Sequence, residues 1–262
     1  MAWLHELDYV VGEFSTERFL DLSRHVDRFL VVSRAVADML RKLGIQKGID
    51  VVHGFPKPTR PDAGDAAAVR KHLGIPPDAF VVGGCGTIEW RKGVDLFLQL
   101  ARRMVTRYDD IYFLWVGGAS PHAETESRRI RHDFDRLDLG DRMLFAGAQA
   151  RPQPFLSAMD VFGLTSREDP FPLVCLEAAS MGKPLVCFEK AGGTSEFVGL
   201  DAGAVVPYGD LEAFSEELLF YRNNREAVLR AGNAAREKAE STFSMEQACA
   251  RIWDALRAAS NG

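Results

Sequence analysis

Short apolar runs alternate with amphipathic stretches along the chain from about residue 80 onwards. Unbroken apolar runs bounded by turn residues predict buried strands, and apolar residues spaced three and four apart predict helices that pack on one face. The pattern predicts strands at 80–86, 111–116, 143–146, 161–164, 184–188 and 204–206, and helices at 94–107, 126–138, 173–182, 211–222, 224–240 and 245–258. This alternation predicts an α/β fold with a doubly wound, Rossmann-like parallel sheet covered on both faces.

The first 60 residues do not continue this alternation. Residues 9–11 and 29–33 are apolar, 35–43 predict a short helix and 49–53 a strand, and GFPKPTRPDAG at 54–64 has the composition of a linker. We therefore divide the chain into 1–58 (the remnant of an N-terminal domain plus a hinge), 59–242 (a complete α/β domain) and 243–262 (a crossover helix). Two strands bury too little surface to be stable alone. We expect either that the first residues pack on the second domain or that a longer natural protein has been cut.

Composition narrows the class of protein. The 262 residues are 47% hydrophobic and 26% charged, as in globular proteins with a core, and the net charge of −5 argues against nucleic acid as a partner. The four cysteines form no CxxC pair, which favours reduced thiols. We find no signal peptide and no apolar run near the roughly 18 residues that a spanning helix needs. We expect a cytoplasmic protein, with peripheral membrane contact left open.

The segment SREDPFPLVCLEAASMGK (166–183) joins a predicted strand to a predicted helix. Pro172 suits the first turn of a helix, because its missing N–H costs little there. Gly182 is placed to end the helix, with Lys183 at its negative end. The backbone N–H groups near 172–174 then point into the crevice at the carboxyl edge of the sheet, and such a helix start binds phosphate.

Two acids, Asp169 and Glu177, flank this predicted phosphate site. Negative side chains beside a phosphate are unfavourable if phosphate is the whole ligand, but they accept hydrogen bonds from sugar hydroxyls on either side of a diphosphate. The residues alone leave a second interpretation open, in which Asp169 caps the helix and Glu177 lies on a solvated face.

Two further glycine-rich segments follow predicted strands. VVGGCGTIEWRKGVDLFLQLA (81–101) contains the basic pair Arg91 and Lys92, which predicts an anion site, with solvated surface cations as the alternative. It fails as a dinucleotide fingerprint because Glu89 stands where the third glycine belongs. In AGGTSEFVG (191–199) two glycines let the backbone approach a ligand closely, and Thr194 is placed to cap a short helix that carries Glu196.

In combination these segments resemble the acid–seven residues–acid motif and neighbouring loops of the family-4 glycosyltransferases, which are retaining enzymes with the GT-B fold. The match includes Ser166, Phe171 and the run 173–184. The resemblance implies that Glu177 holds the nucleotide ribose and that Asp169 contacts the donor sugar. The family more often has Glu at the first acid. Here Asp169 has the seven-residue spacing and Glu168 lies one residue too far, so the acid that reaches the sugar stays open.

The resemblance also covers the other loops. It implies that Lys92 contacts the diphosphate and that the loop carrying Gly193 and Glu196 lies beside the diphosphate and sugar. The family often has Arg after the strand-end glycine, where this chain has Thr87, and Arg91 would replace that charge.

Three weaker matches lie elsewhere in the chain. The family places the nucleotide base near 147–151, and the segment FSMEQACARIWDAL (243–256) resembles the closing segment that crosses back to the first domain. His5 in WLHEL resembles the histidine that closes a first-domain strand and faces the donor sugar, although a lone histidine is also typical of an ordinary surface position.

We therefore predict a glycosyltransferase, or its donor-binding portion, that transfers a sugar from a UDP- or GDP-sugar to an acceptor hydroxyl of unknown kind. Retention is implied by the resemblance. We expect no cofactor and no metal, because no acidic pair is placed to bridge a metal to the diphosphate. The candidate catalytic residues are Lys92, Asp169 and His5. The candidate substrate-binding residues are Gly86, Thr87, Arg91, Arg151, Phe171, Pro172, Leu173, Val174, Glu177, Gly193, Thr194 and Glu196.

Two other functions remain open from the residues. A GT-B-type sugar-nucleotide epimerase would use the same donor pocket with acid and base groups from a first domain. A non-catalytic fragment would bind the nucleotide sugar without turnover.

Overall fold

The computed structural model describes residues 1–13, 15–56, 64–119 and 124–260. The strands are β1 (Ala2–Leu4), β2 (Phe29–Val31), β3 (Ile49–Val51), β4 (Phe80–Cys85), β5 (Ile111–Val116), β6 (Met143–Phe145), β7 (Val161–Leu164), β8 (Leu185–Phe188) and β9 (Gly203–Val206). They form one sheet of three strands in the order β1-β2-β3 and one of six in the order β6-β5-β4-β7-β8-β9. All strand pairs in both sheets are parallel.

Helices connect the strands. They are α1 (Asp8–Glu13), α2 (Thr16–Ser23), α3 (Arg34–Lys42), α4 (Asp65–His72), α5 (Val94–Val105), α6 (Glu124–Leu137), α7 (Gln153–Ser157), α8 (Leu173–Ser180), α9 (Thr194–Val198), α10 (Leu211–Asn223), α11 (Arg225–Ser241) and α12 (Met245–Ser260). We call β1–β3 with α1–α3 the first unit, and β4–β9 with α4–α11 the second unit. None of the helices in the described residues is long and apolar enough to span a membrane.

The six strands predicted from the apolar runs are confirmed, each within one residue at either end. The predicted strand at 49–53 is shorter, and β1, α1, α2, α4 and α7 were not predicted, because their short segments show no clear apolar period. Residues 57–63 lie outside the described residues. They include most of the linker predicted at 54–64 and the domain boundary predicted between residues 58 and 59.

Alternate side chains on each central strand of the larger sheet are buried on opposite faces. Val81 belongs to one apolar cluster and Val82 to another, and Leu114 and Phe113 are divided in the same way. Helices therefore cover both faces, as a doubly wound sheet requires. Buried residues of the first unit, such as Val31 and Leu40, belong to the same cluster as Val81. The two units thus share a continuous apolar core.

The strand order determines where a crevice for a ligand lies. The chain winds outward from β4 to β6 and then returns to β7 on the other side of β4, so β4 and β7 are neighbours where the direction reverses. In open parallel sheets this switch point leaves a crevice at the carboxyl ends of the two strands. The loops that follow β4 and β7 carry the candidate residues 86–93 and 166–174, and they lie side by side.

Candidate functional site

The loops after β4 and β7 are bonded to each other. The backbone N–H of Arg167 donates to the carbonyl of Arg91 (2.8 Å), and the hydroxyl of Thr165 donates to the carbonyl of Gly93 (2.9 Å). Gly93 has φ +66°, and a Cβ there would overlap the carbonyl oxygen of Thr165. Only glycine combines this left-handed backbone with so close an approach. The short 3₁₀ helix Trp90–Lys92 is thereby fixed over the end of β7.

Lys92 and Asp169 form the ion pair at the centre of the site. The Lys92 ammonium donates to Oδ2 of Asp169 at 2.6 Å, and Nη1 of Arg91 lies 3.9 Å from Oδ1. Asp169 is only 4% exposed, so this attraction is weakly screened by solvent. Arg91 also donates to Glu89 (2.9 Å) and to the carbonyl of Glu168 (3.3 Å). The basic pair is therefore organised around a buried carboxylate and is not a pair of solvated surface cations.

The adjacent acids Glu168 and Asp169 contact different parts of the structure. Both carboxylate oxygens of Glu168 accept from the backbone N–H of Tyr9, at 3.1 and 3.2 Å. Burial is the main cause that raises the pKa of Glu168, and the Tyr9 amide opposes it. Glu168 thus contacts the first unit, whereas Asp169 contacts Lys92. This placement favours Asp169 as the acid that faces a ligand.

The segment from Asp169 to Lys183 forms the predicted loop and helix, with two corrections. Pro172 precedes the first helical residue in an extended conformation (φ −70°, ψ 117°), so it is the N-cap and does not belong to the first turn. Gly182 ends the helix with φ +71°, which confirms its predicted role. Lys183 follows the end of α8, where its backbone N–H donates to the carbonyl of Ala178 (3.1 Å), but its ammonium donates to the carbonyls of Ser157 (2.8 Å) and Met159 (2.6 Å) at the end of α7. The first turn of α8 still presents backbone N–H groups without helical acceptors, including those of Leu173 and Val174.

Glu177 lies about one turn inside α8 and is half-buried. Its charge and that of Lys92 both act on the Cys85 thiol at the end of β4. Burial is the largest cause that raises the Cys85 pKa to about 12, Glu177 raises it further, and Lys92 lowers it. Glu177, Lys92 and the end of β4 are therefore close together. Gly86 continues this contact, since a Cβ there would lie 3.3 Å from Cδ of Lys92.

The loop after β8 is bonded to the loop after β7. The Asp169 N–H donates to the carbonyl of Ala191 (2.7 Å), and the Gly193 N–H donates to the carbonyl of Asp169 (3.3 Å). Gly192 has φ +126°, and a Cβ there would overlap the Asp169 carbonyl. The glycines thus allow the approach of one protein backbone to another. Thr194 is not the predicted helix cap: it is the first residue of α9, it is buried, and its hydroxyl lies 4.0 Å from the Cys175 sulfur.

A cleft of about 460 Å³ opens between the two units at this edge. We call it the central cleft. It brings together six of the candidate residues: His5, Arg91, Lys92, Asp169, Phe171 and Leu173. Leu173 is 52% exposed and His5 is exposed. The other walls come from Trp3, Glu6, His53 and Phe55, among others, which we did not single out in the sequence. His53 lies two residues after the end of β3, so the rule that ligands bind at the carboxyl edge of a parallel sheet would also have indicated it.

Two candidates lie away from the central cleft. Thr87 and Arg151 are exposed and are not among the described residues that line the central cleft. Gly147, at the start of the segment 147–151, has φ +71° and lines a second cleft of about 440 Å³ with Gly117, Arg131 and Phe134. This second cleft lies at the carboxyl ends of β5 and β6, on the same edge of the sheet.

A larger cavity, of about 800 Å³, lies at the opposite edge. Three of the cations that line it are already bonded: Arg70 donates to Asp160 (2.8 Å) and to three carbonyls, Lys183 donates to two carbonyls, and Arg222 donates to Asp110 (2.8 Å). Because it is at the amino ends of the strands, this cavity is separate from the crevice that the topology creates.

The fold and the sequence of this chain both match known glycosyltransferases. The architecture is that of the GT-B glycosyltransferases: the crystal structure of Anabaena HepE in complex with UDP and glucose superimposes with a TM-score of 0.85 at 21% identity, over 98% of this chain and 70% of that one. Residues 65–238 match the sequence model of the family Glycosyl transferases group 1. This chain belongs to that family.

Two relatives from Rhizobium meliloti (strain 1021) are similar in sequence. The lipopolysaccharide core biosynthesis glycosyltransferase LpsE is 30% identical over 210 residues, which cover 79% of this chain and 57% of LpsE. The lipopolysaccharide core biosynthesis glycosyltransferase LpsD is 31% identical over 170 residues, which cover 64% of this chain and 45% of LpsD. The chain thus spans about half the length of these relatives.

Proposed function

We propose that this chain is the donor-binding portion of a retaining family-4 glycosyltransferase, which transfers a sugar from a nucleoside-diphosphate sugar to an acceptor hydroxyl. The observation that carries the proposal is the Lys92–Asp169 ion pair beside the start of α8, in a cleft between two α/β units. A cation, a carboxylate and helix N–H groups meet there, and these are the groups that a sugar diphosphate requires.

Lys92 and the first turn of α8 bind the diphosphate. The ammonium has three N–H donors, and Asp169 uses one of them. As the glycosidic bond breaks, negative charge grows on the departing diphosphate, and preorganised donors stabilise that charge by roughly 3–4 kcal/mol each. Arg91 adds a second positive charge next to the pair. In this proposal these cations carry the electrostatic role, and no divalent metal is required.

The carboxylates select the sugars. Asp169 is held by Lys92 and Arg91, and its remaining lone pairs accept from hydroxyls of the donor sugar. Glu177, deeper along α8, accepts from the ribose hydroxyls. His5 faces the reacting sugar from the opposite wall of the central cleft. The start of α8 that faces the donor is formed by Phe171, Pro172, Leu173 and Val174. The substrate-binding roles given to Gly86, Thr87 and the loop at 193–196 stay predictions.

The second cleft, lined by Gly147 and Arg131, is the proposed site of the nucleotide base. Solved neighbours support a uridine nucleotide, because HepE was crystallised with UDP and with UDP-glucose. The use of a GDP-sugar as donor and a contact of the base with Arg151 stay predictions. The names of LpsD and LpsE support a glycan hydroxyl as acceptor, in polysaccharide or glycoconjugate synthesis. A cytoplasmic location stays a prediction.

A thermal-shift panel of UDP-, GDP- and ADP-sugars tests the proposal. A ligand that binds only the folded chain raises the free energy of unfolding by about 2.7 kcal/mol at 100 times its Kd. We expect one UDP-sugar to raise the melting temperature, with and without EDTA, and chromatography of the products to show transfer or slow hydrolysis without epimerisation. No stabilisation by any nucleotide at millimolar concentration would refute the donor site. An epimerised product would instead support the epimerase.

A further inference from the structure

Glu196 lies on α9 of the second unit, yet both of its carboxylate oxygens are bonded to the first unit. Oε1 accepts from the backbone N–H of Ala35 at the start of α3 (3.0 Å), and Oε2 lies 3.0 Å from Nε2 of His53, just after β3. The side chains of His53 and Glu196 are only 13% and 15% exposed. Such a shielded carboxylate is held strongly by its partners, because solvent screens the interaction little.

The contacts of His53 indicate which nitrogen carries the proton. Nη1 of Arg251, an exposed residue on α12, lies 3.4 Å from Nδ1 of His53 and 3.4 Å from the carbonyl oxygen of Val51. A guanidinium can only donate, so Nδ1 accepts and Nε2 carries the hydrogen that is donated to Glu196. The four groups Arg251, His53, Glu196 and Ala35 form one directional series of hydrogen bonds, which we call the relay. It joins α12, the end of β3, α9 and α3.

The relay touches the wall of the central cleft. The ring of His53 contacts those of Phe171 and Phe243, with both centroids 5.0 Å away, and those two rings stack on each other at 5.7 Å. Phe171 also lines the cleft, two residues after Asp169 and two before the start of α8. A displacement of His53 therefore reaches the loop that holds Asp169 and the phosphate-binding end of α8.

We propose that Glu196 and His53 are positioning residues, and that the relay holds the first unit against the loop 169–173 and so sets the width of the central cleft. The consequence for donor binding rests on the proposed function, whereas the mechanical role does not. This role differs from the direct contact with the donor that the sequence resemblance implies for Glu196.

The isosteric variant Glu196→Gln tests the relay. The variant keeps one acceptor oxygen and replaces the other with an NH₂ group, so either the Ala35 N–H or the Nε2–H of His53 must face another N–H. His53 can accept from the amide only if its proton moves to Nδ1, where it would face Arg251. We expect amide hydrogen exchange at the start of α3, followed by mass spectrometry, to be about tenfold faster than in the wild type.

Removal of Arg251 provides the decisive variant. In Glu196→Gln/Arg251→Ala the proton of His53 is free to move to Nδ1, because no guanidinium faces that atom, and Nε2 then accepts from the amide. We expect the double variant to recover most of the protection, and Arg251→Ala alone to change exchange less than about twofold. General loss of packing would instead make the double variant worse than either single variant.

Glu226→Gln is the matched control, because it changes an exposed glutamate bonded to Arg230 on α11. We expect it to leave exchange at α3 unchanged. Unchanged exchange in Glu196→Gln, or no recovery in the double variant, would overturn the relay. UDP titration of the same proteins tests the donor site separately. Failure of the wild type to bind UDP would refute the proposed function and leave the exchange result to decide the relay.

Discussion

Gly193 lies at a position where the neighbouring atoms leave no room for a side chain. Gly193 has an ordinary φ of −81°, so its backbone conformation is open to any residue. A Cβ at this position would lie 2.5 Å from the carbonyl oxygen of Pro170 and 2.6 Å from Cβ of Ser33. The first of these neighbours is backbone and cannot rotate away. The meeting of the first unit, the loop after β7 and the loop after β8 thus depends on the missing side chain.

Gly193→Ala should therefore destabilise the fold by about 1–3 kcal/mol, the usual cost of overpacking. Urea unfolding followed by circular dichroism measures the change. Gly12→Ala in α1 is the control, since nothing lies within 4 Å of a Cβ there and alanine suits a helix better by about 0.5–1 kcal/mol. Equal stabilities for the two variants would show that the contact at Gly193 is looser than described.

The strands of the second unit were predictable from the sequence because they are continuous apolar runs. The end of α8 at Gly182 was also predictable, because a local signal defines it. The partners of the Lys183 ammonium were not. Ser157 ends α7, which the pattern did not predict, Met159 follows it, and they lie 26 and 24 residues away from Lys183. Long-range carbonyl contacts leave no trace in local periodicity.

The buried Lys183 makes the stability of this α7–α8 contact depend on pH. Burial lowers its pKa from 10.5 to about 8. Between these two values the unfolded chain binds more protons than the folded chain, so the residue makes the free energy of unfolding rise with pH. Relative to that of Lys183→Met, the free energy of unfolding of the wild type should rise by up to about 3 kcal/mol between about pH 7.5 and about pH 10.5. Urea unfolding measures this difference.

Lys190→Met is the control for this measurement, because the Lys190 side chain is 81% exposed. The difference in free energy of unfolding between Lys190→Met and the wild type should not change over the same pH range. If the difference for Lys183→Met is constant as well, Lys183 keeps an ordinary pKa in the folded protein.

On the scale of the whole molecule, the site belongs to neither unit alone. His5 and His53 come from the first unit, whereas Lys92 and Asp169 come from the second, and α12 buries Ala248 and Ala255 against Leu30 and Val52 of the first. Sequence motifs indicated the second-unit half of the central cleft. They did not indicate the pair His53–Glu196, whose members are 143 residues apart and meet only through packing of the two units.

The most direct test of the donor site compares the binding of UDP and uridine, by calorimetry, to the wild type and to Lys92→Ala. If Lys92 binds the diphosphate, the substitution should weaken UDP binding at least about tenfold, equivalent to about 1.4 kcal/mol, and change uridine binding less than about twofold. Lys190→Ala should change neither. Equal losses for UDP and uridine, or a wild type that binds UDP no more tightly than uridine, would contradict the account.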